Sequence, residues 1–520
     1  MLKANITKNE NLKAPLLILI TMSAAALFFV FFDIDHTFGL DEAASVAVAS
    51  SSLIEIPAQT VYQVGNPPLY YFLLHGWMKL FGMSETATRS LSGLIYLLTL
   101  PAVYFLGKRL HDQKTGLLAA LLFLVSPVAL RPAQNARMYS LMGLCAALSL
   151  LYFFKLYCQK SGSKADAAKY IAANITGMYT HYWFFFIFAA QVLGYFFFLR
   201  GTSFKKFAAA VTLSFFPFLF WVPGLMEQIR ITPGAFWWVP KADLGLLINT
   251  GSDFLGGGKA GLLVWAAVLG LVWFGRQELK TRLHSLKDFF VQKSNQLLLF
   301  LTVVSLLIPW TISQFKPIFA WSKYAVIALP PLAVLLGALL SRFARPIFLF
   351  VFCLFLLGGS TAGYVYKKTR PRIPSDKSTA EFLIRTASKG DVLLFAGSSR
   401  ATLEYYLRLR QADQKFVKIS FPIEMGRHPF WSDPDAMLAR KPELEKEADS
   451  LADFVQTLLN QPAAKIWLIY GYYPEIEKIV KDEFDRRFKV TEEIILKNPY
   501  WTFYDRIRVY QNRSIGDTSF

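Results

Sequence analysis

The uncharged stretch APLLILITMSAAALFFVFF, residues 14–32, follows three lysines, Lys3, Lys8 and Lys13. At about 1.5 Å per residue, these roughly 19 residues are long enough as a helix to cross the hydrocarbon core of a bilayer. A cleaved signal peptide usually has a shorter apolar centre. The stretch therefore predicts an uncleaved first membrane span with a cytoplasmic N-terminus.

Further apolar stretches recur through the first two thirds of the chain, which is 54% hydrophobic, 16% aromatic and only 18% charged. Soluble domains carry roughly 25% charged residues, so the composition indicates a polytopic membrane protein. The stretches lie near 90–107, 116–130, 138–155, 168–181, 183–199, 207–223, 260–275, 295–313, 318–340 and 346–366. They predict a membrane all-α helical bundle of about 11 to 13 spans over residues 1–366.

The basic loops between these stretches set the orientation of the bundle. Lysines and arginines cluster near 108–114, 155–169, 200–206, 276–293 and 342–345. Positively charged loops stay in the cytoplasm, and all these clusters fall on that side if residues 68–82 do not make a complete crossing. The odd number of spans then places the first long loop, residues 33–87, and the C-terminal residues outside.

Residues 367–520 change character and predict a small α/β domain on the exoplasmic side. Short apolar stretches typical of strands alternate here with helical patterns. The predicted strands span 391–397, 416–421 and 464–470, the helices lie near 399–410, 448–460 and 474–487, and a hairpin of 489–496 and 501–510 turns at Asn498 and Pro499.

The formal charge of +19 and the three cysteines exclude several classes of protein. Most of the excess positive charge belongs to the membrane half, where it lies in short loops, so we expect no nucleic-acid partner. Cys145, Cys158 and Cys353 are odd in number and lie in or beside apolar stretches. Inert thiols are expected rather than a disulfide framework or a cysteine-ligated metal.

Two adjacent carboxylates, Asp41 and Glu42, follow the first span closely and lie on the exoplasmic side. Carboxylates there suit removal of a proton from a hydroxyl acceptor, and they also suit a divalent metal. An isolated Asp-Glu pair more often only solvates a loop. The pair by itself is a weak signal.

A proline pair follows in the same loop, where residues 66–71 read NPPLYY. Pro67 and Pro68 fix the backbone and end the preceding element. Tyr70 and Tyr71 fit an interfacial aromatic belt. They also fit a rigid turn, beginning at Asn66, that shapes a pocket over the loop.

Several cations and aromatic rings lie at the ends of spans on this same side. A guanidinium binds phosphate through paired, charge-assisted hydrogen bonds, whereas a lone basic residue at a span end commonly reaches the lipid headgroups. Two arginines within seven residues, on the side that should be poor in positive charge, favour a phosphate site. The residues concerned are Arg131 and Arg137 with Tyr139, His181 with Tyr182, and Lys323 with Tyr324.

In their order and spacing, these motifs resemble the GT-C membrane glycosyltransferases. They are most similar to the bacterial relatives of the dolichyl-phosphate-mannose protein mannosyltransferases and to the lipid A aminoarabinose transferases. The likeness covers residues 14–345 and is carried by Asp41-Glu42, the NPPLYY stretch, Arg89, residues 134–140 (QNARMYS), residues 179–182 (YTHY) and Lys323-Tyr324.

The resemblance implies an exoplasmic active site that moves a hexosyl or pentosyl unit, with inversion, from a polyprenyl phosphate to a glycan, lipid or protein acceptor. Asp41 would be the base, and Glu42 would assist or orient the acceptor. The donor phosphate would be held by Arg137, Arg131, His181, Lys323 and Tyr324, within a pocket shaped by Asn66, Pro67, Pro68, Tyr70, Tyr71, Tyr139 and Tyr182. No metal ligand set is implied, although a divalent cation is compatible with the carboxylates. The expected location is the bacterial plasma (inner) membrane.

Three positions depart from the pattern of the family. Asn66 stands where many relatives have His or Lys, Asn135 replaces a glutamate, and Lys323 replaces an arginine. Two other functions are compatible with the topology. A transporter or lipid-flipping protein would commonly show repeats and charges near the midplane of the membrane. A non-catalytic scaffold would present residues 367–520 to a partner and would not require the cluster of charged residues.

Overall fold

The computed structural model describes residues 13–32, 34–63, 65–199, 204–231, 239–274, 279–320, 322–369, 376–427, 433–459, 464–471, 473–496 and 505–512. Over these residues the chain is a helical bundle followed by a small region with a five-stranded sheet, which confirms the predicted fold class. Asp33 and the proposed hairpin turn at Asn498 and Pro499 lie outside the described residues.

The first part of the chain contains a helix at each predicted apolar stretch, and further helices lie between these stretches. In chain order, the helices are α1 Lys13–Phe31, α2 Leu40–Ala49, α3 Ile56–Thr60, α4 Leu69–Phe81, α5 Glu85–Leu110, α6 Gln113–Val125, α7 Pro127–Ala133, α8 Tyr139–Phe153, α9 Lys164–Met178, α10 Phe184–Phe198, α11 Phe204–Phe215, α12 Val222–Ile231, α13 Leu244–Phe254, α14 Gly258–Trp273, α15 Leu279–Val291, α16 Lys293–Ile312, α17 Leu329–Phe343 and α18 Pro346–Thr369. A π-helical segment, Phe154–Cys158, continues α8. The 3-10 segments Phe216–Trp221 and Ser322–Ala328 lead into α12 and α17.

Several of these segments are long and apolar enough to cross a membrane. Among the described residues there are five: Glu85–Leu110, Tyr139–Cys158, Phe204–Ile231, Lys293–Ile312 and Ser322–Phe343. Two bent pairs, α6 with α7 at 58° and α13 with α14 at 69°, raise the number to seven, and three apolar helices are shorter. The chain is a membrane protein, while the total of 11 to 13 spans and the orientation of its termini stay predictions.

The first loop is folded rather than extended, because α2, α3 and α4 lie within it. The 13 residues of α4 rise about 20 Å, which is short of the roughly 30 Å of a hydrocarbon core. This length fits the condition, on which the predicted orientation depends, that residues 68–82 do not make a complete crossing. The loop therefore brings three short helices to one face of the bundle.

Small residues allow close approach where the central helices meet. A Cβ atom at Gly116 of α6 would lie 2.5 Å from the carbonyl oxygen of Tyr104 in α5. A Cβ atom at Gly337 of α17 would lie 2.9 Å from the carbonyl oxygen of Thr115. Small residues at such crossings let membrane helices gain van der Waals contact, which replaces the hydrophobic driving force that lipid cannot supply.

The C-terminal region is built around a mixed sheet with the strand order β2-β1-β3-β5-β4. Its elements are α19 Asp376–Thr386, β1 Val392–Ala396, α20 Arg400–Leu409, β2 Val417–Phe421, α21 Glu424–Arg427, α22 Pro434–Leu438, α23 Lys441–Leu458, β3 Ile466–Tyr470, α24 Pro474–Arg487, β4 Lys489–Leu496 and β5 Asp505–Gln511. β1 pairs in parallel with β2 and β3, as alternating strands and helices predict, and β5 pairs antiparallel with β3 and β4. The division into domains at 366/367 stays a prediction.

Candidate active site

The helix α2 presents its two acidic residues to different surroundings. Helical residues that follow each other point about 100° apart, so one face cannot hold both carboxylates. The Asp41 side chain is 43% exposed, whereas the Glu42 side chain is 8% exposed. The open carboxylate is therefore Asp41, and Glu42 is turned into the protein.

Glu42 forms a buried ion pair with Arg89 of α5. Arg89 donates from Nε to Oε1 and from Nη2 to Oε2 of Glu42, both at 2.8 Å. The backbone N–H of Ala136 donates to Oε1 at 2.9 Å, and that of Gly39 donates to Oε2 at 3.3 Å. Burial of the Glu42 carboxyl opposes ionisation, but the charge and hydrogen bonds of Arg89 prevail and lower the pKa of Glu42.

Arg89 also fixes the chain that enters α2. Its Nη1 donates to the carbonyl oxygen of Ile34 at 2.7 Å and to that of His36. The guanidinium lies 4.7 Å from the centre of the Phe38 ring, a cation–π contact. Glu42 and Arg89 together therefore tie the first loop, α5 and the segment around Ala136 into one unit that carries Asp41.

Arg137 lies beside Asp41 and bonds to two residues of α2. Its Nη1 donates to the backbone carbonyl of Asp41 at 3.2 Å and to Oγ of Ser45 at 3.1 Å. Burial disfavours the charge of the guanidinium, but the nearby Asp41 carboxylate prevails and raises the pKa of Arg137. Arg137 Nε is buried and has no hydrogen-bond partner among the described residues, so the guanidinium keeps donor capacity at the site.

Lys323 brings a second cation to the same cleft from the segment before α17. Its Nζ lies 3.7 Å from Oδ2 of Asp41. The ammonium lies 5.0 Å from the ring centre of Tyr139 and 5.7 Å from that of Tyr324. Asp41, Arg137 and Lys323 thus meet although they come from three distant parts of the chain.

Three rings form the wall beneath these cations. The ring centres of Tyr139, His181 and Tyr324 are 5.6–5.7 Å from one another. Trp183 stacks on Tyr324 at 5.0 Å and meets Phe319 edge-on at 4.9 Å. Such an apolar wall lowers the local dielectric and strengthens the electrostatic interactions of the cations.

His181 is neutral at physiological pH. Burial and then the charges of Arg137 and Lys323 lower the pKa of His181 to about 3. The backbone N–H of Trp183 donates to Nδ1 at 3.1 Å, so the single ring proton is assigned to Nε2. His181 can therefore act as a hydrogen-bond donor without carrying charge.

Hydrogen bonds hold the NPPLYY segment so that only part of it borders the cleft. Gln228 of α12 donates from Nε2 to the Asn66 carbonyl at 3.0 Å and accepts from the Tyr182 hydroxyl at 2.5 Å. The hydroxyls of Tyr70 and Ser92 are 3.1 Å apart, and Ser92 donates to the Arg137 carbonyl at 3.1 Å. Tyr70 and Tyr182 thus support the cleft from behind.

The rest of this segment is also buried. Pro67, Pro68 and Tyr71 have little or no exposed surface. The Tyr71 ring has no exposed surface, and the charge of Arg137 acts on its hydroxyl. Tyr71 therefore packs behind the cleft, next to Arg137.

Arg131 lies apart from the central cluster. Its side chain is 63% exposed, and its Nη1 is 4.0 Å from Oδ1 of Asp253, at the end of α13. Ser322 donates to Oδ2 of Asp253 at 2.5 Å. Asp253 thus places a second carboxylate next to the segment that carries Lys323. The sequence pattern did not point to this carboxylate.

Ser45 was missed, and the role of Gln134 in the QNARMYS stretch was not recognised, because these contacts are tertiary. Ser45 lies one helical turn after Asp41, and its hydroxyl accepts a hydrogen bond from Arg137. Gln134 donates from Nε2 to the carbonyls of Phe29 and Phe32, at 2.8 and 3.1 Å, and so caps the end of α1. Within the described residues, no three His, Cys, Asp or Glu side chains are grouped so as to hold a metal ion.

Comparisons with known proteins match part of the sequence and most of the fold. A family model described as dolichyl-phosphate-mannose-protein mannosyltransferase matches residues 65–226, a range that includes Arg89, Arg137 and His181 but neither Asp41 nor Lys323. Among curated proteins, no sequence matches the chain.

Solved structures match almost the whole chain. The crystal structure of ArnT from Cupriavidus metallidurans in the apo state has a TM-score of 0.61 at 14% identity, covering 96% of this chain and 98% of that chain. ArnT bound to undecaprenyl phosphate gives 0.56 at 14% identity, covering 97% and 99%. The arabinofuranosyltransferase AftD from Mycobacteria gives 0.52 at 14% identity, covering 96% of this chain but 40% of that one. At this identity the likeness is one of fold.

Proposed function

We propose that this chain, which has the GT-C glycosyltransferase fold, transfers a monosaccharide from a polyprenyl-phosphate carrier to an acceptor hydroxyl or phosphate at the exoplasmic face. The observation that carries the proposal is the meeting of an open carboxylate with two cations: Asp41 has Lys323 Nζ 3.7 Å from its Oδ2 and Arg137 on its backbone carbonyl.

The two cations suit the anionic part of the donor. A polyprenyl phosphate keeps its phosphate at the membrane boundary, and Arg137 and Lys323 offer charge-assisted donors there. His181 adds a neutral N–H donor. As the bond between the sugar and the phosphate breaks, negative charge accumulates on the phosphate, and donors already in place stabilise that charge most in a water-poor site.

Asp41 suits the opposite half of the reaction. Its carboxylate accepts the proton of the acceptor hydroxyl while the acceptor oxygen forms a bond to the anomeric carbon and the phosphate leaves. Such a single displacement inverts the configuration at that carbon. Positioned proton transfer of this kind contributes about 10²–10⁴ in rate.

In this proposal, Glu42 does not contact the substrate. Both of its oxygens are occupied by Arg89 and by the backbone N–H groups of Ala136 and Gly39. It is a positioning residue that fixes the start of α2, and so the place of Asp41. Arg131, exposed and close to Asp253, belongs to the margin of the site.

The proposed sugar transfer is tested by comparing cells with and without the protein. Mass spectrometry of envelope glycans and lipids should show one sugar addition that depends on the protein. The purified protein in nanodiscs should bind undecaprenyl phosphate, the ligand in one ArnT structure, as seen by native mass spectrometry. Identical envelope profiles together with no bound undecaprenyl phosphate would refute the proposal.

A further inference from the structure

A cavity lies against α2, the helix that carries Asp41. Its volume is about 240 Å³, and it opens between α2 of the first loop and α20 of the C-terminal region. A space of this size can admit a small ligand such as one sugar ring.

The cavity reaches around α2 toward the face that carries the reactive cluster. Asp41 and Ser45 are four residues apart and share the face that meets Arg137. Ala43, Ala47 and Ser50 recur at helical spacing on another face and line the cavity. Ala44 and Val48, three and seven residues after Asp41, line the cavity as well, so a ligand there would lie within about one helix diameter, 10–12 Å, of Asp41.

The opposite wall of the cavity is charged. Arg400, Glu404 and Arg408 of α20 all line it, so two guanidinium groups face the space with one carboxylate. Arg400 Nε and Arg408 Nη2 each donate to Glu404 at 2.8 Å. Burial opposes ionisation of Glu404, but the surrounding cations lower its pKa to about 2. The wall thus keeps a net positive charge at neutral pH.

The sides of the cavity are polar and its α2 wall is apolar. Gln59, Tyr62 and Gln63 supply amide and hydroxyl groups, while alanines and valines of α2 supply a smooth surface. This combination matches a sugar ring, whose hydroxyls need hydrogen-bond partners and whose C–H groups need apolar contact. The excess guanidinium adds a preference for a sugar that carries an anion.

Specific contacts hold the two walls together. The backbone N–H of Phe38, just before α2, donates to the Tyr406 hydroxyl at 2.9 Å. The Phe38 and Tyr405 rings are 4.5 Å apart, and the Tyr405 hydroxyl donates to the Met83 carbonyl at 2.9 Å. These bonds join the first loop to α20 and so hold the two walls of the cavity together.

We propose that this cavity is an acceptor subsite that binds one anionic sugar unit, carrying a phosphate or a carboxylate, while the neighbouring acceptor group reaches Asp41. This inference rests on the proposed function for its role, but binding at the cavity can be measured separately. In this proposal, the C-terminal region supplies part of the acceptor site.

The test uses the full-length protein in nanodiscs and saturation-transfer NMR. Glucuronate and glucose 6-phosphate should receive saturation, and uncharged glucose should receive far less. Ala47→Phe, which fills the cavity, and Arg408→Gln, which removes one guanidinium, should each weaken the charged sugars' binding at least tenfold. Ala47→Ser and Asp41→Asn are the matched controls and should keep it.

Binding of undecaprenyl phosphate is measured on the same samples and should be unchanged in Ala47→Phe, which also reports that the variant is folded. Equal binding of glucose and glucuronate, or unchanged glucuronate binding in Ala47→Phe, overturns the subsite. If the unaltered protein does not bind undecaprenyl phosphate, that result counts against the proposed function. The sugar-binding result is then judged separately.

Discussion

Arg89 and Glu42 form a two-point ion pair in which both contacts are 2.8 Å long and the arginine side chain is fully buried. This pair explains why two adjacent carboxylates have different roles. The Glu42 carboxylate is bound within the protein, whereas the carboxylate of Asp41, at the preceding position, faces Lys323. The expected behaviour of several variants follows from this difference and from the cluster around it.

Asp41→Asn should abolish sugar transfer while the protein still folds. The amide keeps the shape of the side chain but cannot accept the acceptor proton, so we expect a loss of about 10²–10⁴ in rate. The measurement is release of free polyprenyl phosphate by the purified variant. Glu55→Gln, which changes an exposed carboxylate of the same loop, is the control and should remain active; full activity of Asp41→Asn would contradict the assigned base.

Glu42→Gln should act on stability as well as on activity. Removing one charge of a buried pair leaves Arg89 uncompensated and costs about 3–5 kcal/mol. Thermal unfolding of the purified protein should therefore shift clearly downward. The double variant Glu42→Leu with Arg89→Met should regain part of that stability without regaining transfer, because α2 remains unanchored; a fully active double variant argues against a positioning role.

Lys323→Met should weaken the binding of undecaprenyl phosphate. Hydrogen bonds to charged groups contribute about 1.5–3 kcal/mol, so the expected loss of affinity is about 10- to 150-fold. Native mass spectrometry or a thermal-shift titration measures it. Arg131→Met is the matched comparison, since that side chain is exposed and faces Asp253. Equal losses in both variants would mean that the phosphate sits elsewhere.

His181 should make the folded protein sensitive to acid. Its pKa is lowered to about 3 from an ordinary value of 6.5, so below pH 6.5 the unfolded chain binds a proton that the folded chain does not. Stability from this group is present above pH 6.5 and falls as the pH drops toward 3. The melting temperature of His181→Gln should therefore fall less between pH 7 and pH 5 than that of the unaltered protein; parallel curves would oppose a buried neutral imidazole.

The orientation of the C-terminal region is testable by labelling. In a variant without the three native cysteines, Ser450→Cys lies on an exposed position of α23 and should react with an impermeant thiol reagent in intact cells. Ser161→Cys, exposed between α8 and α9, belongs to a loop with a cytoplasmic prediction and should react only after lysis. The reverse pattern would invert the topology.

The membrane bundle, the alternating strands and helices after residue 390, and the residue types of the site could all be predicted from the amino-acid sequence. These features depend on local patterns, namely apolar length, period and turn residues, which the chain carries in each segment. The cations and rings could also be selected, because arginine, lysine and aromatic residues at span ends stand out on the side that should lack positive charge.

Which of these residues meet could be learned from the folded chain alone. Arg89 and Ala136 reach Glu42 across 47 and 94 residues, and no local pattern tells that Glu42 rather than Asp41 receives them. Likewise, Arg131 and Arg137 look equivalent in sequence, but Arg131 lies on α7 with its side chain exposed near Asp253, whereas Arg137 follows α7 and lies beside Ser45. The physical reason is that burial and charge pairing are set by packing of distant segments, whereas residue type and period are set within one.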